Sequence, residues 1–200
     1  MVLDLEKGMT LDLTKIENAS GLTDVAVGVN WGKIKSGGLF GFGAEVKSVD
    51  LDLSALLYDK DGKLVDKIYY ANTSGKGVRH SGDDTSGDDE DDGKDNETIT
   101  VRLADTAPAV TKIVFVLVSF KGQDFGLLPY AGMNLYNISS GNVKLANSNI
   151  DISKDSKYKG KVSMIFAVLE KINGSWQYRM IAEPTTKRTL SDLESMCSKI

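Results

Sequence analysis

Along most of the chain apolar and polar residues alternate with a period of two, the pattern of β-strands that bury one face. Val25, Val27 and Val29 alternate with small or polar neighbours, as do Leu51, Leu53 and Ala55, then Ile99, Val101 and Leu103, and later Trp176, Tyr178 and Met180. Lys112 to Phe120 and Val162 to Leu169 are instead continuous runs of branched and aromatic residues, which predicts central strands buried on both faces. Asp61-Gly62 and Asn173-Gly174 separate consecutive runs and suit tight hairpin turns. The stretches Val2 to Glu6 and Met9 to Leu13, joined by Gly8, read as two further strands and bring the count to about nine or ten. The prediction is a mainly β protein, a two-sheet sandwich with short loops and helical turns.

The carboxyl terminus departs from this period. Leu190, Leu193, Met196, Cys197 and Ile200 recur at helical spacing behind Ser191-Asp192-Leu193-Glu194, which predicts a capped amphipathic helix closing the chain. Cys197 falls on its apolar face and reads as a buried small hydrophobe.

With 200 residues, 41% of them hydrophobic, the chain suits one domain, 1–200. A single cysteine excludes an internal disulfide and a cysteine-built zinc or iron–sulfur site. The longest apolar run, Ile113 to Val118, is far too short to span a bilayer, and the first residues carry acids where a secretory signal needs bases. These features predict a soluble cytoplasmic protein and exclude an integral membrane protein.

Charge is distributed unevenly. The window Ser81 to Glu97 holds nine acids and one base, Lys94, a net of eight negative charges, which leaves the rest of the chain at +4. Such a field repels nucleic acid and attracts cations. The bland reading of the window is a solvated charge run. Against it, strands are predicted on both sides, Leu64 to Tyr70 and Thr98 to Leu103, and Gly82, Gly87 and Gly93 let the backbone turn back on itself. Calcium takes six to eight oxygen ligands, and a loop rich in aspartate supplies them. The EF-hand template fails, because counting from Asp88 places Gly93 correctly but puts Ile99 where a bidentate glutamate belongs. Asp50 and Asp52, two apart at the start of a strand, point to one face and form a second supply of carboxylates.

Several segments in order resemble the TerD family of tellurium-resistance and general-stress proteins: Trp31, Gly38-Leu39-Phe40-Gly41-Phe42-Gly43, Val49-Asp50-Leu51-Asp52-Leu53-Ser54-Ala55, Tyr69-Tyr70-Ala71-Asn72, His80 through Gly87, and Gln123-Asp124-Phe125-Gly126. The resemblance runs from Lys7-Gly8 to the final helix. It implies a β-sandwich whose Asp-rich loop and Asp-x-Asp strand bind two calcium ions, in bacterial stress responses to tellurite, phage and colicins; some eukaryotic relatives are described as binding cyclic AMP. Matched by position, it implies ligands among Asp50, Asp52, Gly82, Asp83, Asp84, Ser86, Asp88, Asp95, Asn96 and Glu97. The acidic loop is longer than the family's, which leaves Asp88 to Asp92 unassigned to individual ions, and Gly32 stands where the family often has aspartate.

Catalytic alternatives find little support. His80, the only histidine, reads as a hydrogen-bonding brace for the loop, and its neighbour Ser81 points the other way on a strand, against a Ser-His-Asp arrangement. Gly41-x-Gly43 lacks the following helix of a phosphate-binding loop. Phe40 and Phe42, flanked by glycines, suit either an anchor for a partner or a cover over the sandwich end. The expectation is a cytoplasmic calcium-binding stress protein, not an enzyme, whose loop is ordered by one or two calcium ions. Its loaded surface would meet other tellurium-resistance or stress proteins, with the inner membrane face one place for that meeting. The alternative is a calcium-dependent binder or processor of nucleotides or other phosphate ligands.

Overall fold

The computed structural model describes residues 2–20, 22–36, 45–150 and 155–200. Phe40, Phe42 and the Gly41-x-Gly43 pair lie outside the described residues. The elements run β1 (Leu3–Asp4), β2 (Thr10–Asp12), α1 (Leu13–Ser20), β3 (Asp24–Trp31), β4 (Ile34–Ser36), β5 (Glu45–Lys47), β6 (Leu51–Tyr58), β7 (Leu64–Ile68), β8 (Ser74–Gly75), β9 (Val78–His80), β10 (Glu97–Arg102), β11 (Lys112–Ser119), β12 (Ala131–Asn137), β13 (Val143–Ile150), β14 (Ser163–Ile172), β15 (Ser175–Thr185) and α2 (Leu190–Cys197). Two sheets form the sandwich. The first has the order β1-β13-β12-β3-β10-β9-β8, and the second β2-β15-β14-β11-β6-β7.

The alternating positions face the space between the sheets: Val25, Val27 and Val29 of β3 meet Leu51, Leu53 and Ala55 of β6 and Ile113, Phe115 and Leu117 of β11 in one buried cluster. The two continuous runs, β11 and β14, lie side by side in the middle of the second sheet. Their other faces are covered too, because Val114, Val116, Val118, Ile165 and Val168 pack with Leu193 and Cys197 of α2. A strand with both faces buried has no use for alternation, and the helix explains the continuous apolar composition. Cys197 is fully buried there, and burial pushes its thiol up to about 12, the environment of an inert thiol.

Both hairpins form. β14 turns into β15 through Asn173 and Gly174, both at positive φ (51° and 84°), a conformation that favours this pair of residues. The amino terminus differs from expectation: β1 and β2 do not pair with each other. β1 joins the first sheet in parallel with β13, whereas β2 joins the second in antiparallel with β15, so Gly8 marks a crossing between sheets. Leu13, read as the end of a strand, begins α1, whose first turn is capped by the Asp12 carboxylate accepting from Thr14 N and Lys15 N. The carboxyl-terminal helix is present, but its cap is Thr189 in a reciprocal box with Asp192, two residues earlier than the sequence suggested.

These contacts rank three variants. Leu193→Ala should cost about 2–5 kcal/mol through the cavity it leaves under α2, and Thr189→Ala about 1 kcal/mol through the lost cap. Exposed Ser191→Ala should cost close to nothing. Equilibrium denaturation checks the order, and a loss at Ser191 equal to that at Thr189 would move the cap back.

Candidate metal centre

The geometry of the site follows from an irregular edge. β7 pairs with β6 only at Ala55 to Tyr58, which leaves Leu53 without a neighbouring strand on that side. Two side chains from the opposite sheet replace it: Glu97 Oε2 accepts from Leu53 N at 2.7 Å, and His80 Nε2 lies 3.0 Å from Leu53 O. Gly82 N donates to His80 Nδ1 at 3.0 Å, which assigns the ring proton to Nε2 and makes that atom the donor to Leu53 O. His80 Nε2 is also 3.3 Å from Glu97 Oε2, with both side chains fully buried. The other carboxylate oxygen, Oε1, accepts from Asp84 N at 3.0 Å. Glu97, implied as a ligand, thus has both oxygens engaged with main-chain donors, and His80 braces the loop as expected.

From this anchor the loop 81–96 folds over one end of the sandwich. Val49 N donates to Ser86 O, Lys33 N to Asp88 O, Asp88 N to Trp31 O and Asn96 N to Val29 O, so both sheets hold it. Its three glycines take positive φ (122°, 70° and 73°). Several acids and amides stabilise the loop itself. Asp84 Oδ1 accepts from Ser86 N, Ser86 Oγ and Gly87 N, and its Oδ2 accepts from Asn96 Nδ2. Burial opposes the Asp84 charge, but the bonds from Ser86, Asn96 and Gly87 prevail and hold its carboxyl below the usual range. Asn96 also donates to Asp88 Oδ1 at 3.0 Å, and its Oδ1 accepts from Trp31 N at 2.8 Å. Asp95 turns to the outer face of the first sheet, over Gly28, where it accepts from Asn134 Nδ2 and bonds the Tyr136 hydroxyl.

Three carboxylates converge. One oxygen each of Asp50, Asp52 and Asp83 lies within 4.8 Å of the others, with Asp50 and Asp52 buried and Asp83 exposed. Asp52 is pushed up to about 7 by burial first and then by repulsion from Glu97, Asp50 and Asp83. Burial also raises Asp50, opposed by the ammonium of Lys121, 3.8 Å away. Lys121 escaped the sequence reading because it reaches Asp50 only through the β6–β11 register, where Phe120 N donates to Asp50 O.

A second polar group lies near the outer part of the loop. Asn30 Nδ2 donates to Asp91 Oδ1 at 3.1 Å, while the buried Asn30 Oδ1 and the Tyr130 hydroxyl have no hydrogen-bond partner among the described residues. Burial and the charges of Asp88, Asp91 and Asp92 raise the Tyr130 hydroxyl to about 12. A Cβ at Gly32 would stand 2.7 Å from both Pro129 and Tyr130, so these residues occupy the room that a side chain after Trp31 would take. Neither Asn30 nor Tyr130 carries a signal in the sequence: Asn30 is one polar position within β3, and Tyr130 lies in the irregular stretch just before β12.

The TerD domain model matches residues 1–198. The chain is 31% identical to stress response protein SCP2 of Bacillus subtilis (strain 168) over 98% of each chain. It is 30% identical to tellurium resistance protein TerZ of Serratia marcescens, over 97% of this chain and 96% of that one. A crystal structure of a homologue of telluride resistance protein (TerD) from Streptomyces coelicolor A3(2) superposes with a TM-score of 0.65 at 15% identity, covering 87% of this chain and 96% of that chain, which speaks to the fold. Among the described residues no helix is long and apolar enough to cross a membrane. With the family model spanning nearly every residue and relatives matching end to end, the chain belongs to the TerD family.

Proposed function

We propose that this protein is a calcium-binding member of a stress response of the tellurium-resistance type, in which Asp50, Asp52 and Asp83 hold the ion. The observation that carries the reading is the convergence of three carboxylates, two of them buried, with Lys121 3.8 Å from Asp50. The donor set fits: hard carboxylate oxygens at one end of a sandwich, with the rest of the coordination left to carbonyls and water. When bound, calcium supplies the positive charge that offsets this repulsion. Asp84, Ser86, Asn96 and Glu97 fix the loop so that Asp83 meets Asp50 and Asp52. The Asn30 Oδ1 beside Asp91 supports a second, weaker ion, since Gly32 offers it no side chain. The loaded loop would then present an ordered surface to other stress proteins in the cytoplasm.

The test is titration calorimetry of calcium into chelator-treated protein, with magnesium as control. Two ions of unequal affinity are expected, with Asp91→Ala removing the weaker and Asp52→Asn the stronger. Free calcium at about 100 times the dissociation constant should stabilise the fold by about 2.7 kcal/mol, a rise in melting temperature of roughly 5–10 °C for a domain of this size. Absence of heat above the magnesium control, with an unmoved melting temperature, would return the loop to a solvated charge run.

Acid should compete with the ion. An Asp52 carboxyl raised to about 7 binds its proton more tightly in the folded than in the unfolded state. The calcium-free protein should therefore gain stability from this group as pH falls from about 8 toward 5 and lose it as pH rises through 7. Calcium affinity should run the other way, weakening below pH 7, because the ligand must be ionised. Melting curves with calcium and with chelator across this range check both signs.

A further inference from the structure

Beside the carboxylate cluster, on the outer face of the second sheet, lies a cavity of about 290 Å³. α2 covers Leu56 and Tyr58 of β6. Asp52 and Ser54, on the same face of the strand, line the cavity together with Tyr70, Phe120, Arg188 and Leu190. Three features of the lining are open to a ligand. Ser54 is fully buried and its hydroxyl has no hydrogen-bond partner among the described residues. An unmade bond of this kind costs about 1–3 kcal/mol. Phe120 is 60% exposed, the end of a row of edge-to-face rings in which it meets Tyr70 at 6.2 Å and Tyr70 meets Tyr69 at 5.3 Å. The Arg188 guanidinium lies against Gly122, two residues beyond Phe120, and forms no ion pair among the described residues.

An upright row of rings with an open outer member takes a flat group by stacking. The single cation in the lining is Arg188, and its planar fork suits a phosphate or carboxylate. Asp52 opposes an anion only while its own charge is unmatched, and in this respect the argument rests on the calcium reading above. The volume falls just under the range of small-molecule sites, about 300–1,000 Å³, and suits no more than one ring and an acidic group. We infer that this cavity binds a small ring-bearing anion, with the ring against Phe120 and Tyr70, the acidic group at Arg188 and a polar atom at the Ser54 hydroxyl.

The test uses phenyl phosphate as probe, with inorganic phosphate, phenol and benzylamine as controls, titrated into the calcium-loaded chain and its variants Phe120→Ala, Arg188→Gln and Ser54→Ala. Phenyl phosphate should bind, with both phosphate alone and phenol weaker by at least about tenfold, or about 1.4 kcal/mol. Phe120→Ala and Arg188→Gln should each weaken it by a similar factor. Both residues are exposed, so the melting temperature and its response to calcium should stay as in the parent. Ser54→Ala should weaken binding while leaving stability equal or higher, since it removes an unsatisfied hydroxyl.

The inference is overturned if the calcium-loaded parent shows no binding of phenyl phosphate at about 10 mM, if benzylamine binds as tightly, or if the Phe120 and Arg188 variants bind as the parent does. Calcium stabilisation recorded on the same samples separates the two readings. A parent that ignores calcium yet binds phenyl phosphate through Arg188 and Phe120 would remove the ion and keep the ring site. A parent stabilised by calcium but blind to phenyl phosphate would do the reverse.

Discussion

The fully buried Glu97 carboxylate, facing His80 and the main chain of Leu53, is the contact on which the rest of the site hangs. A carboxylate in a hydrophobic core is tolerated when its oxygens accept hydrogen bonds, and here N–H groups of Leu53 and Asp84 meet them. The same pair of side chains satisfies an edge of β6 that β7 leaves uncovered, so a gap in one sheet is closed from the other. This sets the separation of the sheets at the end of the sandwich where Asp52 precedes Leu53. It also fixes both ends of the acidic loop, through Gly82 and Asp84 at its start and Glu97 itself at its finish.

The loop is therefore more than an accumulation of charge. Asp84 folds it through main-chain bonds, Asp91 accepts from Gly93 N, Asp92 from Lys94 N, and Asp95 is engaged over the outer face of the first sheet. Acids with such partners are ordinary turn chemistry. Asp50, Asp52 and Asp83 differ, because burial, with repulsion from neighbouring carboxylates added, raises Asp50 and Asp52, and the opposing pull of Lys121 on Asp50 does not cancel it. Sorting the acids by what each accepts separates those that build the loop from those that face one another.

Much of the fold was legible in the sequence because the relevant physics is local. Period-two burial identified β3, β6, β10 and β15, doubly buried runs identified β11 and β14, and the Asn173-Gly174 turn demanded positive φ. What escaped was set by distant pairing. Nothing near Gly8 says that β1 and β2 belong to different sheets, and the Leu13–Ser20 helix hid behind a strand-like start. In the site, the nearness of Asp50 and Asp52 followed from spacing, whereas Glu97 turns inward and Asp95, two residues before it, turns outward against the period of two, because β10 begins only at Glu97. Lys121, Asn30 and Tyr130 needed the register before they could be placed.

The crossing at Gly8 bears on how the molecule is made. The segment around Gly8 takes up positions against strands synthesised much later: Lys7 pairs with Glu183, 176 positions away, and β2 lies along β15. Until β13 and β15 have been synthesised, neither half of the amino-terminal segment has a strand to join, and it waits unpaired while the interior β-pairs assemble. Pairings so remote in sequence must close their loops before any contact rewards them, and they form slowly. When they do form, the segment lies along β13 of one sheet and β15 of the other, so residues made early become a clasp across the sandwich.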